Sequence, residues 1–236
     1  MNKFILLFFL LALNLPLAFG SSVEDYLRKV QKNYENLKTF RLNLNYELYK
    51  GWQGTEVMDT YSSQFFRSEE ESYRTLHNSI FISSQGLSLS VDHDDKLMTI
   101  SDPIEEKVID ADLEKSLQMC QDTKVVEQED GSTKLRLILK QKSDILYSAI
   151  DIIINEKYQI KEIQLYYAHQ YNFSSSYFQP EMDYPKLRIT YGEIKKSWKE
   201  KDEHLNLGYY LSNTANQPTP TKEYSDYQII DLRSVE

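Results

Sequence analysis

The alternation of apolar and polar residues that begins at Phe40 is the feature that most constrains what this chain can fold into. From Phe40 to Leu48 each apolar residue is followed by a polar one, a period of two that is typical of a strand with one buried face. Comparable segments recur roughly ten times up to Tyr191. Asp130-Gly131, between two of them, is a strong hairpin signal. The sequence therefore predicts an antiparallel, mainly β protein of the α+β class.

Helical spacing precedes the first strand. Ser21-Ser22 stands before Glu24-Asp25, which is a capping-box pattern at the start of a helix. A second, short helix is expected between Asp102 and Gln121, with Cys120 on its apolar side. Apolar residues three or four apart place one stripe of the first helix against the sheet. They are Val23, Leu27, Val30, Tyr34 and Leu37.

The first twenty residues are expected to be a secretory signal peptide. Lys3 precedes a short apolar run, Phe4 to Leu13, and the small residues Ala18 and Gly20 end the segment. That run is shorter than the roughly 20 apolar residues of a transmembrane helix. We therefore expect cleavage after about Gly20 and no transmembrane span afterwards, with a retained membrane anchor as the alternative.

Three segments are predicted along the chain. Residues 1–20 are the signal peptide, 21–198 form one half-barrel domain, and 199–236 are a linker with a C-terminal docking strand. The linker assignment rests on polar composition around Pro218 and Pro220, and the strand is expected near Tyr227 to Leu232 at an open sheet edge.

Composition excludes several classes of function. The formal net charge is −9 and cleavage removes one further positive charge, so binding to nucleic acid is not expected. The four histidines are isolated, and the acidic cluster Asp92-His93-Asp94-Asp95 lacks the glycine and glutamate spacing of a calcium loop. No metal, cofactor or catalytic motif is predicted, although a hydrolase remains a remote alternative because distant carboxylates can meet in space. The single cysteine excludes an internal disulfide.

An aromatic loop follows the later strands. Its rings are Tyr171, Phe173, Tyr177 and Phe178, more aromatic area than a connection needs. The loop is predicted either to be a lid or partner-binding lip, or to pack against one end of the curved sheet as an extension of the core.

The order of these elements resembles the periplasmic lipoprotein-carrier family, to which LolA and LolB belong. The likeness rests on the amphipathic helix that ends in Tyr34-Glu35-Asn36-Leu37-Lys38-Thr39-Phe40 and runs into a long strand, then on the meander, the central helix and the Asp130-Gly131 hairpin. It spans about Ser22 to Trp198. The resemblance implies an unclosed antiparallel β-barrel with helices covering its concave face, and an apolar cavity for acyl chains. It also implies that Arg67 corresponds to the family's release arginine, although the proline that follows it there is absent here.

This resemblance gives the leading functional hypothesis, a monomeric, non-enzymatic carrier or sensor in the periplasm or outside the cell. Its expected ligand is a lipid or the acyl chain of a lipoprotein. The alternative is an envelope protein that binds another protein and has a filled core. The expected ligand-binding positions are Leu42, Leu44, Tyr46, Val57, Tyr61, Phe65, Arg67, Leu89, Ile152 and Leu165.

Overall fold

The structure is a computed structural model that describes residues 22–69, 71–103, 117–141, 145–175, 178–196, 205–213 and 217–234. The predicted signal peptide and most of the predicted central helix lie outside these ranges. Two α-helices in the described ranges are α1, Val23–Glu35, and α2, Leu207–Tyr210, and a 3-10 turn spans Lys222–Tyr224. The strands are β1 Phe40–Tyr49, β2 Val57–Arg67, β3 Ser72–Leu76, β4 Ser79–Ser84, β5 Leu87–Asp92, β6 Leu97–Ser101, β7 Cys120–Glu127, β8 Thr133–Leu139, β9 Tyr147–Ile154, β10 Ile160–Tyr167, β11 Tyr171–Asn172, β12 Met182–Asp183, β13 Lys186–Tyr191, β14 Leu211–Ser212, β15 Thr219–Pro220 and β16 Gln228–Asp231.

Twelve strands form a single sheet in the order β16-β6-β5-β4-β3-β2-β1-β13-β10-β9-β8-β7. Neighbouring strands are antiparallel except for β16, which pairs in parallel with β6 and aligns Gln228 with Leu97. The sheet is large and unclosed, with β16 and β7 as its edges. The predicted α+β half-barrel is therefore confirmed, while the predicted domain boundaries stay a prediction.

The helix α1 begins where the sequence predicts. The Ser22 hydroxyl accepts a hydrogen bond from the Asp25 backbone N–H at 3.1 Å, and the Asp25 carboxylate accepts one from the Ser22 N–H at 3.0 Å. This capping box satisfies two donors that a helix start leaves without partners. None of the helices in the described part of the chain is both long and apolar enough to cross a membrane.

The apolar core lies on both faces of the sheet. In the register of β1 and β2, Leu42 is opposite Phe65 and Arg41 is opposite Phe66, so the two phenylalanines point to opposite faces. We name the face that carries Phe65 and contacts α1 the inner face, and the face that carries Phe66 the outer face. The buried inner cluster is Val23, Leu27, Val30, Tyr34, Phe40, Leu42, Leu44, Tyr46, Phe65, Leu135, Leu137, Ile154 and Ile160. The buried outer cluster is Phe66, Tyr73, Ile82, Leu89, Val91, Met98, Ile100, Leu205, Leu207, Tyr210, Leu211 and Tyr224.

The segment predicted as a surface linker covers the outer face instead. Leu207 and Tyr210 of α2 are almost completely buried, and Tyr224 from the 3-10 turn joins them against the strands β3 to β6. The prediction of a linker is corrected because apolar and aromatic residues in this segment fill a core without forming a long helix or strand.

Cys120 also departs from its prediction. It is the first residue of β7, opposite Leu139, and does not lie on a helix. The side chain is half-buried, and burial raises the pKa of its thiol. A raised pKa keeps the thiol protonated, which lowers its reactivity.

Candidate functional site on the inner face

Most of the predicted ligand-binding residues share the inner face. The register places eight of the ten there, since each is connected to Leu42 or Phe65 by cross-strand pairs of the same face. They are Leu42, Leu44, Tyr46, Tyr61, Phe65, Arg67, Ile152 and Leu165.

Two predicted residues lie elsewhere. Leu89 is opposite Ile82 and Ile100 and is buried in the outer cluster, so it lines the face that α1 does not touch. Val57 pairs with Tyr49 beyond a register shift and is 44% exposed at the start of β2. The prediction for Leu89 is wrong because this residue lies on the outer face. The prediction for Val57 is wrong because the register shifts between Leu48 and Tyr49.

Two rows of aliphatic side chains cross the inner face, perpendicular to the strands. Each row follows direct cross-strand partners through β8, β9, β10, β13 and β1. Four strand-to-strand steps cover roughly 19 Å at the usual spacing. The first row, here called the isoleucine row, is Leu135, Ile152, Ile163, Ile189 and Tyr46, and it continues to Tyr61 on β2. The second, the leucine row, is Leu137, Ile150, Leu165, Leu187 and Leu48.

The helix α1 buries only part of these rows. Leu135, Leu137 and Tyr46 are buried, whereas Ile163 and Leu165 in the middle of the rows are half-buried. The helix runs from Cys120 of β7 towards the start of β10, where the Ile160 N–H donates to the Tyr34 hydroxyl at 3.3 Å. The aliphatic residues near the β10–β13 pair are therefore only partly covered, and we call this apolar surface beside the helix the groove.

The inner face changes character from β2 to β6. The row that begins at Arg67 continues through Ser72, Ser83, Ser88 and Ser101, each opposite the next. The neighbouring row contains Arg74 between Phe65 and Phe81 and goes on to Ser90 and Thr99. Hydroxyl and guanidinium groups thus line this wall, which makes it polar beside the aliphatic groove.

Arg74 lies where the two walls meet. Its Nη2 donates to the Tyr46 hydroxyl at 3.1 Å, and Tyr46 stacks on Tyr61 with ring centroids 4.5 Å apart. Its Nε is buried and has no hydrogen-bond partner. Within the described ranges, no carboxylate forms an ion pair with this guanidinium.

Several phenols surround the groove. Burial raises the pKa of Tyr61, with a contribution from Tyr46 and Tyr167, and it raises the pKa of Tyr147 to about 12, with contributions from Tyr167 and Tyr61. Tyr147 and Tyr167 stack edge-on with centroids 5.0 Å apart. Tyr61 and Tyr147 lie on β2 and β9, which are four places apart in the sheet order.

The predicted aromatic loop contains a short hairpin that is formed by β11 and β12. Phe178 is 92% exposed and Tyr171 is 59% exposed, while Phe173 is half-buried and contacts the Tyr171 ring at 5.4 Å. Tyr177 lies outside the described residues. The strand β12 is held against the β1–β2 turn, where Trp52 contacts the Tyr184 ring at 5.5 Å.

A buried carboxylate lies on the outer face. Asp151 is fully buried on β9, where its Oδ2 accepts a hydrogen bond from the Tyr166 hydroxyl at 3.1 Å and lies 3.1 Å from the Lys134 Nζ and 3.6 Å from an Arg136 nitrogen. These partners offset part of the cost of burying the charge, while Oδ1 is buried without a hydrogen-bond partner. The group connects three neighbouring strands and lies on the face opposite the groove, directly behind the Ile150 and Ile152 positions of the two rows.

The remaining titratable groups are dispersed. His77 is exposed beside Tyr61, His93 shares a 2.7 Å hydrogen bond with the Tyr227 hydroxyl on the outer side, and His169 is exposed. His204 lies outside the described residues. In the part of the chain that the structure describes, no group of three or more histidine, cysteine or carboxylate side chains is arranged to hold a metal ion.

Sequence reasoning missed Arg74 and Asp151. Asp151 carried a signal, because it is the only charged residue in the run Ala149 to Ile154, whereas Arg74 lies in the mixed segment Ser72–Leu76 and carried none. A charged residue inside an apolar strand is uncommon unless a partner or a ligand compensates it.

Comparisons with known proteins concern the fold. The sequence matches no family profile and no curated protein. Similar solved structures include an uncharacterized conserved protein from Thermus thermophilus, with a TM-score of 0.43 and 9% identity, covering 88% of this chain and 98% of that one. A LolA superfamily protein from Nitrosomonas europaea has a TM-score of 0.31 and 12% identity, covering 78% and 97%. A putative outer membrane lipoprotein-sorting protein domain from Vibrio parahaemolyticus has a TM-score of 0.35 and 9% identity, covering 79% and 97%.

Proposed function

We propose that this protein is an exported carrier or sensor that binds a lipid or acyl chain in the groove beside α1. The observation that carries the proposal is the pair of aliphatic rows whose central residues, Ile163 and Leu165 among them, are only half-buried. A continuous row of half-buried aliphatic side chains on a concave sheet is a surface that an alkyl chain can contact along its length. The proposal assigns binding and no chemical step.

Binding would gain its free energy from apolar burial. Each methylene of a guest that leaves water contributes about 0.8 kcal/mol. The rows run across the strands, so an extended alkyl chain that follows the isoleucine row can contact Ile152, Ile163 and Ile189 from three different strands. The aliphatic groove alone selects for length and shape, since its side chains offer no hydrogen bonds.

The direct test is to look for the guest. The protein is purified from its own extracytoplasmic fraction, measured by native mass spectrometry, and extracted for lipid analysis. A bound acyl species and uptake of a fluorescent fatty acid are the expected results. A ligand-free mass together with no uptake would overturn the proposal and favour a filled core.

A pair of matched variants tests whether the lipid binds in the groove. Ile163→Trp adds a large ring to the groove and should reduce fatty-acid uptake at least tenfold, since it occupies the space of several methylenes. The control is Ile153→Trp, on the half-buried outer face of the adjacent strand β9. Equal loss of uptake in both variants would mean that the ring acts by perturbing the fold, and the groove would lose its assignment.

Protein docking through the aromatic loop is a second candidate, favoured by the exposure of Phe178 and Tyr171. Exposed aromatic rings of this kind are common at the centres of protein interfaces. Replacing Tyr177 and Phe178 by serine should abolish capture of an envelope partner and leave the melting temperature almost unchanged. Phe173→Ser is the matched control, because its half-buried ring should lower the melting temperature. A large loss of stability in the first variant would show that the loop is part of the core.

A further inference from the structure

The inner face has an aliphatic side and a polar side, and this difference is informative about the kind of ligand that it can bind. Resting on the proposed function, we propose that Arg74 binds the anionic headgroup of a single-chain amphiphile whose alkyl chain lies along the isoleucine row. The relevant group is an oxyanion, either the carboxylate of a fatty acid or the phosphate of a lysophospholipid. This goes beyond binding of apolar chains, since it assigns a charge to the ligand and a direction to its placement.

The first step of the argument is the incomplete bonding of Arg74. A guanidinium has five N–H donors in a planar fork. One of them is directed to the Tyr46 hydroxyl at 3.1 Å, and the buried Nε–H has no partner. A buried donor without a partner is rare in folded proteins, and a planar oxyanion fits the edge formed by Nε–H and an Nη–H.

The second step is the absence of a counter-charge. Among the described residues, the groups around Arg74 are phenols and hydroxyls. Burial raises the pKa of Tyr61 and Tyr191, although the guanidinium of Arg74 opposes both shifts. These phenols therefore stay neutral at physiological pH and leave the positive charge of Arg74 available to an incoming anion.

The third step is continuity with the groove. Tyr46, which accepts the hydrogen bond from Arg74, is also the direct cross-strand neighbour of Ile189. A headgroup on Arg74 would thus lie at the end of the isoleucine row, where the aliphatic wall gives way to the wall of serines. A chain that starts there can pass over Ile189 and Ile163 towards β9.

The test compares chains with and without a charge. Oleate, monooleoyl lysophosphatidate and oleyl alcohol are titrated into the full mature protein, its Arg74→Gln and Arg74→Lys variants, and Arg41→Gln. Arg41 is the matched control because it lies half-buried on the outer face of β1. Charge-assisted hydrogen bonds of this kind correspond to roughly a tenfold to hundredfold change in affinity.

The expected result is selective. Arg74→Gln should weaken oleate or lysophosphatidate by at least tenfold and leave oleyl alcohol within about twofold, and Arg74→Lys should recover part of the loss. The anion that binds more tightly to the unaltered protein identifies the source of the oxyanion. Unchanged anion affinity in Arg74→Gln, or an equal loss for oleyl alcohol, would overturn the role of Arg74 while the groove stands. Failure of the unaltered protein to bind any of the three probes would overturn the proposed function and this inference with it.

Discussion

The inner and outer clusters are built on the same sheet in different ways. Among the residues that the structure describes, the inner cluster is covered by the regular helix α1, whose buried residues repeat every three or four positions. The outer cluster is covered by an irregular segment in which rings contact one another, with the Tyr210 and Tyr224 centroids 5.2 Å apart and those of Tyr224 and Tyr227 5.1 Å apart. A regular cover leaves part of its face open as a groove, whereas the irregular cover follows the shape of the outer face. Under the proposed function the inner face also binds the ligand, whereas the outer cluster contributes to stability alone.

The largest expected effect that tests this contrast comes from Tyr210. Its side chain is fully buried in the outer cluster, so Tyr210→Ala should lower the free energy of unfolding by about 3–5 kcal/mol through lost burial and a cavity. Urea denaturation followed by circular dichroism measures this loss. Tyr209→Ala is the control, because the neighbouring ring is only half-buried and should cost clearly less. A loss below about 1 kcal/mol for Tyr210→Ala would mean that the outer cover is dispensable.

An alkaline titration also compares the two clusters, and its expected effect on the free energy of unfolding is of intermediate size. Burial raises the pKa of Tyr34, in the inner cluster, to about 12. Below pH 10 both the folded and unfolded states keep this proton, and between about pH 10 and 12 only the unfolded state loses it. The free energy of unfolding should therefore fall by up to about 1.4 kcal/mol per pH unit in that window.

Two variants test which cluster causes this dependence of the free energy of unfolding on pH. Tyr34→Phe should flatten the dependence of the urea midpoint on pH between about 9 and 11.5. Burial, reinforced by Tyr209 and Glu223, also raises the pKa of Tyr224 in the outer cluster, so Tyr224→Phe should flatten it as well. An unaltered slope in both variants would show that ionisation of these two phenols does not limit alkaline stability.

The smallest expected effect concerns the start of α1. Ser22→Ala removes the side-chain acceptor of the capping box and should cost about 1 kcal/mol. Ser175→Ala, in an exposed loop, should change the free energy of unfolding by less than about 0.5 kcal/mol. Equal effects of the two substitutions would indicate that α1 is held by its packing alone.

The alternation from Phe40 to Leu48 was sufficient to predict β1 and its buried side, and the hairpin at Asp130-Gly131 was located from two residues. Alternation has a limit, however, because it tells which residues share a face and not which of the two faces meets α1. Leu89 was assigned to the wrong side for this reason. Both faces of β2 are covered near Phe65 and Phe66, and this adjacent pair was the local signal that a second core exists.

The outer cover could not be predicted for a different reason. Residues 205–224 contain a four-residue helix, two-residue strands and a 3-10 turn, all shorter than the windows in which a period can be recognised. Arg74 was missed because its importance depends on Tyr46, which is distant in sequence and meets it only through the order of the strands. The apolar positions of the candidate site can therefore be predicted from the sequence, whereas its polar end can be recognised only from the order of the strands.

The parallel pairing of β16 with β6 has a consequence for the order of folding. Gln228 aligns with Leu97, so the pairing closes a loop of more than a hundred residues, and the outer cover comes from the same late part of the chain. Nascent chains acquire α1 and β1 first and their last strand at the end of synthesis. Until residues 205–224 have been synthesised, Phe66, Ile82 and Ile100 are not covered by the outer segment. A chain that ended before residue 205 would expose this surface to proteases, so protection of the outer face reports that residues 205–224 have been made.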